Sequence, residues 1–450
     1  MNHKQRLAVL ASASILVYLN SFRGAFQLDD YNVIVFNPAV HSWSAWLADT
    51  CRGIRPLLKL SYTLNWTSGL GLFGFHLFNL CIHIINTMLI YALSRSPMTT
   101  QSDIPDTLKT QIPFIAALFF AVHPIQTEAI TYISGRSASL MTLFYLGSLL
   151  SYTYGRDNNR SLFVYVLSPI LFFFAIAVKE VAVALPAALL LWEVIVKEKP
   201  FSFRRALRYQ WVHWTLLFCF AASILIHPGY YRLISFSFGF RSIYDNILSQ
   251  IHGVVYLLSR LLMVLELNID PDLPVITRWS PLLILETFSL FFILYIGILC
   301  RKKYPWVLFG ICWFFLHLIP ANSIIPRIDI INERHFYLAG WGIFLVVSSI
   351  IVLPFSEFIR KQQYLWIFTI ILCLTLGIST ISRNHVYRSE IALWEDTAIK
   401  SPNKARVFNN LGYAYYLSGR SCEAKNAYLR SLLLDPDFIL ARNNLSLIEK

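Results

Sequence analysis

Two adjacent carboxylates, Asp29 and Asp30, stand in the run Phe26-Gln27-Leu28-Asp29-Asp30-Tyr31, directly after the first long apolar segment. A carboxylate at an apolar boundary has a raised pKa and can act as a general base, while its neighbour orients a substrate or holds a cation. A solvated helix cap is the alternative reading of the same pair. Arg55-Pro56 and Asn65 come next, then His76, Asn79, His83 and Asn86 at intervals of three and four. That spacing puts the four on one helical face. Polar groups in an apolar helix face the protein interior or a water-filled cavity, so the stripe marks the inside of a bundle and, most simply, interhelical hydrogen bonds. His76 and His83 are too far apart along a helix to share one zinc ion.

A third group is His123-Pro124-Ile125-Gln126-Thr127-Glu128, followed by Tyr132, Gly135 and Arg136. Glu128 and Arg136 either pair with each other or serve the phosphate and hydroxyls of a substrate. Lys179-Glu180 occupies a tight turn between two apolar runs, where the lysine suits a lipid phosphate or serves as a snorkelling anchor. Ile325-Pro326-Arg327 leads into Asn332-Glu333-Arg334-His335-Phe336-Tyr337. Arg55, Arg136, Lys179, Arg327 and Arg334 form a cationic set beside acids, which a phosphate-linked substrate and a hydroxyl acceptor require. A divalent Mg or Mn ion bridging Asp29 or Asp30 to the phosphate would use the same hard oxygens.

The elements that carry these groups are dictated by composition. The 450 residues are 56% hydrophobic, 15% aromatic and 14% charged, with a mean hydropathy of +0.55, far from the soluble range. The apolar runs are continuous rather than alternating, so the expected fold is all-α and polytopic, not a barrel. Runs at 7–22, 73–93, 112–122, 139–154, 162–178, 181–196, 211–226, 281–300, 306–319, 336–353 and 365–381 predict about eleven crossings. The first run has no clear small-x-small cleavage site, so it is expected to be retained. Positive charge collects at Lys4 and Arg6, Arg156 and Arg160, 197–208, 301–303, and Arg360 with Lys361, which places those loops in the cytoplasm. The loops 27–72, 123–137, 179–180, 227–280 and 320–335 are then extracytoplasmic, and 246–266 dips in and returns or lies along the surface. Trp43, Trp46 and Trp66 suit helices lying flat at the interface. The net charge of +13 is spread over these clusters, so it speaks for topology and anionic lipid rather than nucleic acid. Of seven cysteines, only Cys51 and Cys422 fall clear of apolar segments, and no CxxC pair suggests a metal or redox site.

After residue 381 the chain turns polar. With Ala405 as the first position of a 34-residue tetratricopeptide repeat, Phe408, Leu411, Gly412, Tyr415, Ala424, Tyr428 and Pro436 fall on signature positions, and Ser431 is a soft mismatch. Trp394 and Pro402 fit one period earlier and Leu445 one period later. The expected organisation is a membrane unit at 1–383 and an extracytoplasmic repeat region at 384–450, with one full repeat at 405–438. Such repeats form a concave surface that usually holds peptide.

In this order the segments resemble the transmembrane and tetratricopeptide-repeat O-mannosyltransferases and their bacterial relatives, within the GT-C glycosyltransferases. The similar passages are Leu28-Asp29-Asp30, Arg55-Pro56 to Asn65, and Gly74-Phe75-His76-Leu77-Phe78-Asn79 with His83 and Asn86. They continue with His123-Pro124, Glu128-Ala129, Gly135-Arg136, Lys179-Glu180, Ile325-Pro326, Glu333-Arg334, Tyr337-Leu338 and Leu393-Trp394. The resemblance implies a polyprenyl-phosphate-linked sugar as donor, a protein hydroxyl as acceptor, and Asp29 or Asp30 as the base. It also implies that Arg55, Arg136, Lys179 and Arg334 hold the donor phosphate, supported by His76, His123, Glu128, Glu180, Glu333 and Tyr337. Transfer would be a single inverting displacement, at the outer face of a bacterial inner membrane or an ER-like membrane. The repeat array is much shorter than the animal enzymes' arrays, which leaves the acceptor protein open. Rival readings are an oligosaccharyl, lipid or wall-polymer transferase of the same fold, a lipid-linked sugar transporter, and a repeat-based assembly scaffold. A transporter would carry charges midway through its spans, whereas here they gather near one membrane face.

Overall fold

A computed structural model of the chain describes residues 1–50, 52–99, 105–197, 201–322, 324–355 and 362–448. Cys51, Arg360 and Lys361 lie outside them. All eleven apolar runs are helical, and no strand occurs among the described residues. Five helices are long and apolar enough to cross a bilayer, at Gly71–Ser96, Phe203–Ile226, Pro281–Cys300, Glu333–Phe355 and Gln362–Val386. Asp106–Val122 with Pro124–Ile130, bent by 55°, makes a sixth if the pair is counted as one span. The expected count of about eleven is therefore not reached on length and apolarity. The remaining runs form shorter helices, such as Leu185–Ile195 and Pro305–Leu318, or a more polar one, Arg136–Asp157. Phe203–Ile226 and Pro281–Cys300 are strongly apolar yet only 11% and 17% buried within the protein. Surfaces of that kind need hydrocarbon around them, which fits a membrane protein.

The polar stripe of the helix Gly71–Thr99 does point inward: His76, Asn79, His83 and Asn86 are all buried. Asn79 donates to the Ile130 carbonyl (2.9 Å) and Asn86 to that of Ser139 (2.9 Å), while His83 meets the Tyr337 hydroxyl (2.9 Å). Each bond ties this helix to a different neighbour, which apolar side chains in lipid cannot do. Elsewhere small residues bring helices together. Gly310 and Gly342 face each other across Pro305–Leu318 and Phe336–Val352, and a Cβ on either would overlap the other's carbonyl oxygen.

The segment 123–137, expected as an extracytoplasmic loop, is folded into the bundle and almost wholly buried. His123 ends the helix Asp106–Val122, and its ring nitrogen accepts from the Ile125 N–H, capping a 3-10 turn. The short helix Thr127–Ile130 and a second 3-10 turn follow, so local hydrogen bonds satisfy the backbone away from water. Gly135 is required here, because a Cβ would overlap the Glu128 carbonyl oxygen. The segment 27–72 contains the short helix Trp43–Asp49 and then Pro56–Thr67, with the Trp46 indole donating to the Pro56 carbonyl (2.9 Å). The stretch 246–266 is helical over Ile243–Ser259 and then turns.

The last apolar helix continues to Val386, just past the expected boundary at 384, and Glu390–Lys400 follows it. Ala405–Leu417 and Ser421–Leu434 then form an antiparallel pair. Gly412 lies against the Tyr428 ring, and the Ser431 hydroxyl donates to the Ala405 carbonyl. Asp270 receives both Lys404 and Arg406, and Arg406 also meets Asp329, so the C-terminal helices are seated on the loops of the membrane unit.

Candidate functional site

Leu28 has φ of +46°, a left-handed conformation that a branched aliphatic residue adopts only under constraint, at a cost of about 1–3 kcal/mol. The turn it makes sends Asp29 and Asp30 in opposite directions. Asp30 is fully buried: one carboxylate oxygen accepts the Gln27 N–H (2.9 Å), and the other accepts both the N–H (2.7 Å) and the hydroxyl of Ser134. Burial outweighs those hydrogen bonds and pushes its pKa up to about 7, with the Asp29 charge adding to the rise. Asp29 is exposed and lines a cavity of about 220 Å³, its N–H donating to the Tyr132 hydroxyl (3.0 Å).

The cavity brings together much of the predicted cationic set. Arg55, Lys179, Arg327 and Arg334 all line it, together with Lys59, Tyr62, Tyr132, Ser134, Ser137, Asn32 and Asn37. Arg55 also sits in the left-handed region, at φ +56°, immediately before Pro56 starts the helix Pro56–Thr67. Its guanidinium grips Glu180 with two parallel bonds (2.9 and 2.8 Å). Burial alone would raise the Glu180 carboxyl, but Arg55 more than offsets it and holds the group below the usual range. Arg334 is likewise matched, donating to Glu128 from its side chain (2.8 Å) and its backbone (2.8 Å).

Lys179 and Arg327 differ from these two. Among the described residues neither has a carboxylate within ion-pair distance. Lys179 is 6% exposed, and burial, then the charges of Arg334, Arg55 and Arg327, hold its pKa well below the ordinary lysine range. Three matched cations, Lys59 being paired with Asp49, and two unmatched ones thus line the cavity with one exposed carboxylate. An anion entering this cavity would meet Arg327 and Lys179 without having to break an ion pair, and its charge would favour the protonated form of Lys179.

Other expected site residues lie elsewhere. Arg136 is fully buried and does not line the cavity. Its nitrogens donate to Asn79 (2.6 Å), the Ser61 carbonyl (3.1 Å) and the Phe75 carbonyl (2.9 Å), and it packs over the Phe78 ring. Nor does Glu128 pair with Arg136, since its partner is Arg334. His76 contacts the Gly24 carbonyl, His123 the Leu261 carbonyl, and Tyr337 the stripe residues His83 and Asn86. Glu333 accepts from the Asn268 N–H (2.8 Å) and the Tyr256 hydroxyl (3.2 Å). These residues brace the helices that carry the cavity. Asp30 is turned away and committed to Gln27 and Ser134, so of the two acids only Asp29 faces the cavity where an ion bridging to a phosphate would have to sit. Among the described residues no three metal-ligating side chains cluster. Sequence reasoning missed Ser134, Ser137, Tyr62 and Lys59 as cavity residues, although Ser134 immediately precedes the Gly135-Arg136 pair that drew notice.

Similar proteins agree with the resemblance read from the sequence. Protein O-mannosyl-transferase F38B6.6 of Caenorhabditis elegans is 26% identical over 96% of this chain and 63% of its own length. Protein O-mannosyl-transferase TMTC3 of Mus musculus is 25% identical over 99% of this chain and 52% of its own. Protein O-mannosyl-transferase TMTC1 of Mus musculus reaches 35%, but over 34% of this chain and 17% of its own. The chain thus spans about half to two thirds of the length of the curated relatives that it matches end to end. No family model matches it. No solved structure matches it.

Proposed function

We propose, from its similarity to the protein O-mannosyl-transferases, that the chain is a membrane glycosyltransferase. It moves a sugar from a polyprenyl-phosphate-linked donor to a Ser or Thr hydroxyl of a protein on the extracytoplasmic face. The observation that carries this reading is the cavity in which Asp29 faces Arg55, Lys179, Arg327 and Arg334. Asp29 takes the proton of the acceptor hydroxyl as its oxygen attacks the anomeric carbon, and the bond from that carbon to the phosphate oxygen breaks on the opposite face. Configuration inverts in one displacement, which needs one base and not the paired carboxylates of a retaining hydrolase. A sugar phosphodiester carries one negative charge and the released lipid monophosphate up to two. Lys179 and Arg327, having no carboxylate partner, are placed to meet the charge that develops, while Glu180 and Glu128 hold Arg55 and Arg334 in position. Asp30 fixes the turn through Gln27 and Ser134. The region 384–450 is the part suited to hold an acceptor polypeptide, and 1–383 the part that holds donor and base.

The test is transfer of labelled sugar from membrane lipid extract to envelope proteins, comparing wild type with Asp29→Asn, Asp30→Asn and the double variant at matched expression. Loss of labelling by about 100-fold or more in Asp29→Asn supports the assignment. Labelling indifferent to both acids refutes it and moves transport or scaffolding ahead.

A further inference from the structure

The strained turn at Leu28 is held from the far end of the chain as well as by Asp30. The N–H of Ala25 and the side-chain amide of Gln27 both donate to the Tyr387 carbonyl (3.3 and 3.1 Å). Leu28 packs against two apolar clusters, one of Tyr132, Ile269, Tyr387 and Leu393, the other built on Trp394, Val407 and Leu411. Leu393 is completely buried. Tyr132, whose hydroxyl accepts the Asp29 N–H, belongs to the first cluster. The helix Glu390–Lys400 that supplies Leu393 and Trp394 is itself fastened to the membrane unit. Arg383 pairs with Asp396 (2.6 Å), Lys400 donates to the Leu267 carbonyl (2.9 Å), and the Ser401 hydroxyl donates to the Asp270 carbonyl (2.8 Å).

We infer that Leu393, with the Tyr387 carbonyl, positions Asp29, so that the helix following the last apolar span completes the reaction centre. The inference rests on the reading of Asp29 as the base. A bulky residue persists in the left-handed region only where its surroundings impose it. Removing the wall that Leu393 forms lets Leu28 relax to negative φ, and the carboxylate that follows leaves the cavity. Tyr387 acts through its backbone, which side-chain substitution spares, so Leu393 and Gln27 are the positions to vary.

The experiment uses the full chain in detergent, a polyprenyl-phosphate sugar, and a Ser/Thr peptide too short to span the repeat helices. Leu393→Ala is expected to lower kcat by about tenfold or more, with peptide KM within about twofold of wild type. Amide exchange across 25–36 quickens in the same variant, and Leu393→Met restores both. Gln27→Met, which removes only the side-chain bond, shifts both readouts in the same direction by less and carries the test if Leu393→Ala does not fold. Wild-type kcat and unchanged exchange in Leu393→Ala overturn the inference. If the wild-type chain transfers no sugar, the transferase reading fails, and exchange at 25–36 still decides whether the clamp exists: unchanged exchange overturns it, faster exchange upholds it.

Discussion

At the scale of single residues, Asp29 and Asp30 are adjacent in sequence and opposite in circumstance. Because burial raises the Asp30 pKa to about 7, its charged form is disfavoured in the folded chain. The sign follows directly: this group's contribution is most favourable below the unfolded pKa near 3.8, falls as pH rises, and is lost above about 7. Thermal unfolding followed across that window should show a slope that Asp30→Asn flattens. Lys179 gives the converse test. Its pKa is depressed by burial and by three neighbouring arginines, and a bound phosphate restores the charge, so donor binding takes up a proton. Donor KM should rise as pH increases, and Lys179→Arg should flatten that rise. Lys179→Ala should weaken donor binding by roughly 10- to 100-fold, as expected for one charge-assisted hydrogen bond. The sequence showed that an acid and several cations belong to one face. Which aspartate meets the cavity was not legible, because it depends on the φ of Leu28, and nothing in leucine's chemistry favours a positive value.

At the scale of elements, the segment 123–137 is the most exacting piece of backbone. Gly135→Ala would drive a Cβ into the Glu128 carbonyl, displacing the acid that holds Arg334 and the start of the helix that carries Arg136. The expected outcome is destabilisation by about 1–3 kcal/mol and loss of transfer, read by thermal unfolding and by the labelling assay. The stripe at residues 76, 79, 83 and 86 was readable because helical period alone assigns its face. Arg136 was harder to place for a related reason. A cation at the start of a buried helix turns either to the substrate or to neighbouring carbonyls, and only the positions of Ser61, Phe75 and Asn79 decide between them. The count of about eleven crossings goes unconfirmed because hydropathy does not reveal that the run 162–178 opens in a π turn, or that 181–196 opens in a 3-10 turn.

At the scale of the whole molecule, the seating of the C-terminal helices depends on Asp270, whose side chain is 5% exposed and takes both Lys404 and Arg406. Asp270→Ala leaves Lys404 without its carboxylate while Arg406 keeps Asp329, and should cost about 1–3 kcal/mol of docking. Limited proteolysis between the last apolar helix and residue 405 should then run faster than in wild type. The 34-residue register disclosed the helix pair, but not its seat, since Asp270, Asn268 and Ser401 carry no motif. The charge of the cavity sets the rhythm of the proposed reaction. With Lys179 and Arg327 unmatched, the site suits the doubly charged lipid phosphate left after transfer better than the singly charged donor that arrived. Turnover should therefore be limited by departure of the spent carrier. Rapid mixing should show a burst of one glycosylated acceptor per chain, followed by a slow steady phase that added lipid phosphate slows further.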